Sequence, residues 1–249
     1  MPLLGDPAHQ DLTAFMQRWP RSVHTPKEIV MISAHWEAPT PSVTSGANPS
    51  LIYDYGGFPP KAYEIQYPAP GSPPLAARLT HALQDAGLNP VVDESRGFDH
   101  GMFVPLKLMY PAAQIPCVQV SLLSSLDPDA HWALGEALRP ALTEQTLLIG
   151  SGLSFHNLST FRSNDPTAAE QARQFDDWLV TTCTKPELDG AARRQQLSNW
   201  LQAPAARACH PREEHLLPCH VCAGAANGRA ARAVYRQPLY GKAVSALQW

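Results

Sequence analysis

The chain has 249 residues, enough for one large domain or two small ones with a real core. Apolar residues make up 44% and charged residues only 16%, which excludes a disordered or charge-rich helical array. The net charge is −3 with no basic stripe, and no run of about 18 apolar residues occurs, so neither nucleic acid nor a membrane is expected as a partner. The start, "MPLLGDPAHQDL", lacks the pattern of a secretory signal. Five cysteines, an odd number, then point to reduced thiols and a cytoplasmic location. Twenty-five prolines imply stiff connections between elements.

In chain order, Asp6-Pro7 reads as the N-cap and first residue of a helix that ends near Trp19-Pro20, with Leu12, Phe15 and Met16 on one face. Lys27 to Ala34 reads as a buried strand, and Ser42 to Ser45 as a second, shorter one. Tyr53 to Pro74 is a long aromatic and proline-rich loop, and such loops in compact domains are usually functional. Tyr53, Tyr55, Phe58 and Tyr63 either line a pocket there or pack on one another. Leu75, Leu79, Leu83 and Ala86 recur at helical spacing, so Pro74 to Gly87 is expected to be a helix stopped by Gly87. Pro90 to Val92 reads as a strand, and "GFDHGMFVPLKLMYP" leads into a short helix.

Ile115 to Leu122 is a further strand, Asp127-Pro128 opens a helix that reaches Leu142, and Thr146 to Gly152 is another buried strand. Two polar-faced helices follow, Pro166 to Thr182 and Pro186 to Leu201. His210 to Ala226 is expected to be largely helical after Pro211, and the tail reads as closing edge strands. Strands alternating with helices predict an α/β fold, a single domain with a largely parallel central sheet flanked by helices. Ligands of such sheets sit at the carboxyl ends of the strands.

That rule sorts the ten histidines. His9, His81 and His131 fall in amphipathic helices and His24 ahead of a turn; these read as ordinary surface or helix-face imidazoles. His220 lies between Cys219 and Cys222, and this single CxxC reads as a packed helix face, because a closed zinc site needs four ligands. Four others differ. His35 stands at the carboxyl end of the first strand, and His156 just past the strand that ends at Gly152. His100 lies in the loop after Pro90–Val92, and His215 begins the helix after the "HPREE" turn. Their convergence on one rim points to a metal or acid–base site, and imidazoles suit Fe, Zn, Cu and Ni. Glu37, Glu213 and Glu214 stand close enough in sequence to support these histidines, or are solvated carboxylates. His210 and His215 are five apart with a proline between, which is not the HExxH spacing of a metalloprotease.

"SAHWE", "YDYGGFPPKAYEIQYPAPG", "GFDHGMFVPL", "IGSGLSFHNL" and "HPREEHLLPCHVCAGAA" together resemble the class III extradiol ring-cleavage dioxygenases. This is the superfamily of the catalytic subunit of protocatechuate 4,5-dioxygenase, and the closer likeness is to the DOPA 4,5-dioxygenase type. The resemblance implies a single catalytic domain over residues 1–249 and a mononuclear site for Fe(II) or Zn(II). It also implies cleavage of a catechol-type substrate with O2. It makes His35 and His215 metal ligands. His156 becomes the acid–base histidine or a further ligand, and His100 a second catalytic histidine. Members of the family begin with a strand and a "HGxP"-type loop carrying another ligand histidine, whereas "MPLLGDPAH" matches the segment just after it. The chain as written is therefore expected to be N-terminally truncated, with weak metal binding and poor turnover. A zinc-dependent hydrolase, or a non-catalytic binding protein on the same scaffold, are the other readings.

Overall fold

The computed structural model describes residues Pro2–Trp249; Met1, at the tail of the expected motif, lies outside the described residues. The elements in order are α1 (Gln10–Arg18), β1 (Glu28–Ala38), β2 (Ser42–Thr44), β3 (Leu51–Ile52), α2 (Pro73–Asp85), β4 (Val91–Asp93), β5 (Phe98–Asp99), α3 (His100–Met109), β6 (Cys117–Leu123), α4 (Pro128–Leu138) and β7 (Thr146–Ser151). They continue with α5 (Pro166–Thr184), α6 (Gly190–Ser198), α7 (Ala206–Cys209), α8 (Leu217–Ala225), β8 (Arg232–Leu239) and β9 (Lys242–Gln248). The residues fall into two compact units. One comprises residues up to Ser125 with Ala137–Ser151, the other Leu126–Glu136 with Gly152–Trp249.

The first unit holds the five-stranded sheet, in the order β4-β2-β6-β1-β7. Its pairings are parallel except between β2 and β6, which meet antiparallel at Val43 and Val120. This is the largely parallel α/β sheet expected from the sequence. Ile29, Val30, Met31 and Ile32 are all fully buried. A strand covered on both faces has no polar alternation, which is why it reads as one continuous apolar run. Ile29 and Met31 join Phe98, Met102 and Phe103 in one core cluster. β3 and β5 pair separately as a short parallel ribbon.

β1 does not stop at Ala34. It runs to Ala38, so His35 lies within the strand rather than beyond it. The ladder is broken there: pairing with β6 jumps from Ile32–Val120 to Glu37–Leu122, and pairing with β7 ends at Ser33–Ser151. Extra residues on one strand of a pair re-aim the side chains they carry, and such irregularities gather near functional sites.

In the second unit, α5 starts as the sequence suggests, with Asp165 accepting from Thr167 N–H and Pro166 in the first turn. The expected second helix is shorter, Gly190–Ser198, because Asp189 caps it and Pro186 lies outside. The tail does not form edge strands of the central sheet. β8 and β9 pair with each other as a separate antiparallel hairpin, packed on α5. The two strands satisfy each other's inward-facing backbone groups, and Ser245 N–H on β9 turns outward to Ser154 Oγ. Residues 211–216 are turns rather than helix, and α8 begins only at Leu217. Pro211 restricts its neighbours, and the Glu213, Leu216 and Leu217 backbone groups close the turn.

Candidate metal and acid–base site

Four histidines singled out by sequence are placed in two clusters, one in each unit. In the first unit, His35 and His100 stand with ring centroids 3.9 Å apart. His100 is the first residue of α3, not a loop residue, because Asp99 takes the N-cap position. The Asp99 carboxylate does not cap the helix. It is fully buried and accepts instead from Ser33 Oγ at 2.8 Å, from Gln119 Nε2 and from Arg96. Ser33 Oγ in turn accepts from the His35 backbone N–H. Burial pushes the Asp99 carboxyl above its usual range, against the lowering from Ser33 and Gln119.

The cap is supplied from a distance. Asp54 Oδ1 accepts from the His100 backbone N–H at 3.0 Å and lies 2.7 Å from His100 Nδ1. Its other oxygen stands 3.7 Å from His35 Nδ1. Burial raises the Asp54 carboxyl, but the His100 hydrogen bonds and the two imidazoles outweigh it, and the net shift is downward. The carboxylate facing His35 Nδ1 is thus Asp54, where the sequence suggested Glu37. The close approach of α3 to β1 depends on Gly101. A Cβ there would overlap Ser33 Oγ and come within 3.1 Å of the His35 ring.

The aromatic loop packs beside this cluster. Tyr55 sits edge-on to His100 at 5.3 Å and also contacts Phe58, Tyr63 and Phe103. The Tyr53 and Tyr55 hydroxyls donate to Ile65 O and Ala62 O of their own loop. Their chief work is packing, with Tyr55 bracing the His100 ring.

In the second unit, His156 and His215 stack with centroids 3.3 Å apart and rings inclined by 13°. Both turn Nδ1 to Glu214 Oε1, at 3.5 Å from His156 and 3.0 Å from His215. Burial raises the Glu214 carboxyl; hydrogen bonds from both imidazoles more than offset this and hold it well below the usual range. Glu213 pairs instead with Arg207. His215 precedes α8 in the turn rather than opening the helix. Gly152 lets the His156 loop lie against this turn, since a Cβ there would overlap the His215 carbonyl. His210 is fully buried here, and burial lowers its pKa to about 4. His220 is a buried helix residue, as read, between Leu216 O and Leu197 O.

Among the described residues two His/His/carboxylate groups result, His35–Asp54–His100 and His156–Glu214–His215, each with ligand atoms within 4.8 Å of one another. A carboxylate behind Nδ1 keeps the proton there and puts the lone pair on Nε2, the usual arrangement of a metal-binding or proton-accepting imidazole. Neutral imidazole donors are what ferrous iron and zinc accept, so the histidines fit such an ion.

The model for the family described as the catalytic LigB subunit of aromatic ring-opening dioxygenase matches residues 6–246. The chain belongs to this family. This LigB-family chain is 41% identical to dioxygenase tasH of Hapsidospora irregularis, over 91% of the chain and 75% of that protein. It is 40% identical to the 4,5-DOPA dioxygenase extradiol of Beta vulgaris, over 85% of the chain and 78% of the relative. Among solved structures, an uncharacterized protein of Escherichia coli K12 shares the fold with a TM-score of 0.76. That match has 29% identity and covers 95% of this chain and 91% of that one. The extradiol resemblance carried by the sequence motifs is therefore correct at the level of family and fold.

Asp54 is the residue that sequence reasoning missed. It sits in the loop flagged as functional, but its neighbours Tyr53 and Tyr55 drew attention to aromatic packing. Glu213 and Glu214 are equivalent candidates in the sequence; in the structure Glu214 faces the two histidines and Glu213 faces Arg207.

Proposed function

We propose that the protein is a non-haem, metal-dependent extradiol dioxygenase. It opens a catechol-type ring beside its two hydroxyls and adds both atoms of O2. The family match over residues 6–246 carries this reading. The names of the relatives direct it toward a DOPA-like catechol.

In this reading His35 and His215 are metal ligands, and His156 is the acid–base histidine and a further candidate ligand. His100 is the second catalytic histidine. When bound, Fe(II) supplies open coordination positions for both catechol oxygens and O2; Zn(II) fits the same donors. His156 takes a catechol proton on Nε2, and Glu214 behind its Nδ1 stabilises the imidazolium. His100 is held at both backbone N–H and Nδ1 by Asp54, so its Nε2 offers a fixed hydrogen bond to substrate or oxygen. A cytoplasmic location is part of this reading, supported by the five cysteines standing as free thiols.

The test is anaerobic loading with Fe(II), addition of DOPA or a simpler catechol, and then admission of O2. A yellow ring-opened product with one O2 consumed per ring is expected. Turnover that needs zinc and proceeds without O2 would establish the hydrolase reading instead.

A further inference from the structure

We propose that His210 is a positioning residue: its imidazole fixes the backbone of the loop that carries His156, and so sets where the His156 ring stands. The inference rests on the acid–base role given to His156 above.

Residues 153–157 run antiparallel to 208–215, and four hydrogen bonds tie the two segments. Leu153 N–H donates to His215 O at 3.1 Å, and His156 N–H to Cys209 O at 3.0 Å. Asn157 Nδ2 donates to Ala208 O at 2.8 Å. The fourth bond comes from a side chain: His210 Nε2 lies 3.0 Å from Ser154 O. Ser154 is pinned a second time, because its Oγ accepts from Ser245 N–H in β9. The loop is thereby fixed two residues before His156, and Gly152 permits the close approach.

His210 suits this role because only one of its states fits. The ring is fully buried, 5.1 Å from Phe175 and 6.1 Å from Trp200. Its Nδ1 is buried and has no hydrogen-bond partner among the described residues. With the proton on Nε2, the ring donates to Ser154 O and leaves only a lone pair unsatisfied. With the proton on Nδ1, a donor would be buried unpaired and a lone pair would face the Ser154 carbonyl oxygen. A doubly protonated ring would bury a charge among aromatic rings. The imidazole is thus a fixed strut and not a proton carrier. A structural role alone explains burial, but not a donor aimed at the one carbonyl that sets the entry to the His156 turn.

Nitrogen-15 NMR of the wild-type protein at pH 7 should find His210 as the Nε2–H tautomer; the Nδ1–H tautomer overturns the proposal. His210→Leu removes the donor, and His210→Gln keeps one near the Nε2 position. In His210→Leu, amide exchange of the peptide 152–158 should speed up about tenfold or more, with His210→Gln close to wild type. Metal content should be unchanged in both. On Fe(II)-loaded protein, His210→Leu should lower kcat by about 10- to 100-fold with KM within about threefold, and His210→Gln should recover most of it. Unchanged exchange and kcat in His210→Leu, or loss of metal from His210→Gln, overturns the role. If His210→Leu does not fold, the tautomer and the Gln variant still decide. Wild-type protein that opens no ring contradicts the dioxygenase reading, whereas the tautomer and exchange results bear on the role of His210 alone.

Discussion

Asp54 makes three contacts at once: the backbone N–H and Nδ1 of His100, and Nδ1 of His35. Asp54→Asn keeps an acceptor for the helix N-terminus but loses the charge that faces both imidazoles and holds His100 in one tautomer. It is expected to lower kcat by about 10- to 100-fold while the thermal midpoint changes little. Equal losses in kcat and stability would mean that Asp54 serves only as a cap. His210 supplies a prediction in pH. Its folded pKa is lowered from 6.5 to about 4 by burial, so between those values the unfolded chain binds the extra proton. Stability is therefore unaffected by this group above about pH 6.5 and falls as the pH drops toward 4, by roughly 3 kcal/mol. Urea unfolding at pH 7 and pH 4.5 should show a smaller acid loss in His210→Gln than in wild type. These residues also mark what the sequence left hidden. His35, His100, His156 and His215 stand beside elements whose periodicity is readable. Asp54 acts across 46 residues to reach His100, and nothing in local pattern signals a helix cap supplied from another loop.

Among elements, β1 and α3 show how the site is built from regular parts. The apolar core of β1 was legible because burial on both faces leaves an unbroken Ile-Val-Met-Ile run. Its true end was not, because the ladder breaks after Ile32 and resumes only at Glu37. Propensity carries no record of such a shift in register. α3 starts at His100 because Asp99 occupies the N-cap with its side chain turned inward, a use of Asp that a capping rule misreads. Glycines set the close approaches: Gly101 lets α3 lie against β1, and Gly152 lets the His156 loop lie against the turn that carries His215. Gly152→Ala would force a Cβ against the His215 carbonyl, a backbone atom that cannot swing away. It should cost about 1–3 kcal/mol and slow turnover, whereas an alanine at the open turn Gly56 meets no atom within 4 Å and serves as the control. Chemical denaturation of the two variants measures the difference. Equal stability would remove the close-packing argument.

At the scale of the whole molecule, composition and element order predicted α/β with a largely parallel sheet, and the structure has it. The β8–β9 hairpin was harder to place, because a strand pattern does not say which strand it pairs with. Within the second unit, Arg193 is almost fully buried, and its guanidinium donates to the carbonyls of Thr182, Lys185, Leu188 and Gly228. Arg193→Met keeps the volume and strands these acceptors. It should destabilise by about 3 kcal/mol or more, read by thermal unfolding, and a neutral result would show that the carbonyls find other donors.

The central claim is that this chain opens a catechol-type ring with both atoms of O2. The most direct measurement is mass spectrometry of the product formed by Fe(II)-loaded protein under ¹⁸O2. The account predicts a ring-opened product carrying two ¹⁸O atoms. A product carrying one ¹⁸O or none, or one formed equally well without O2, would contradict it.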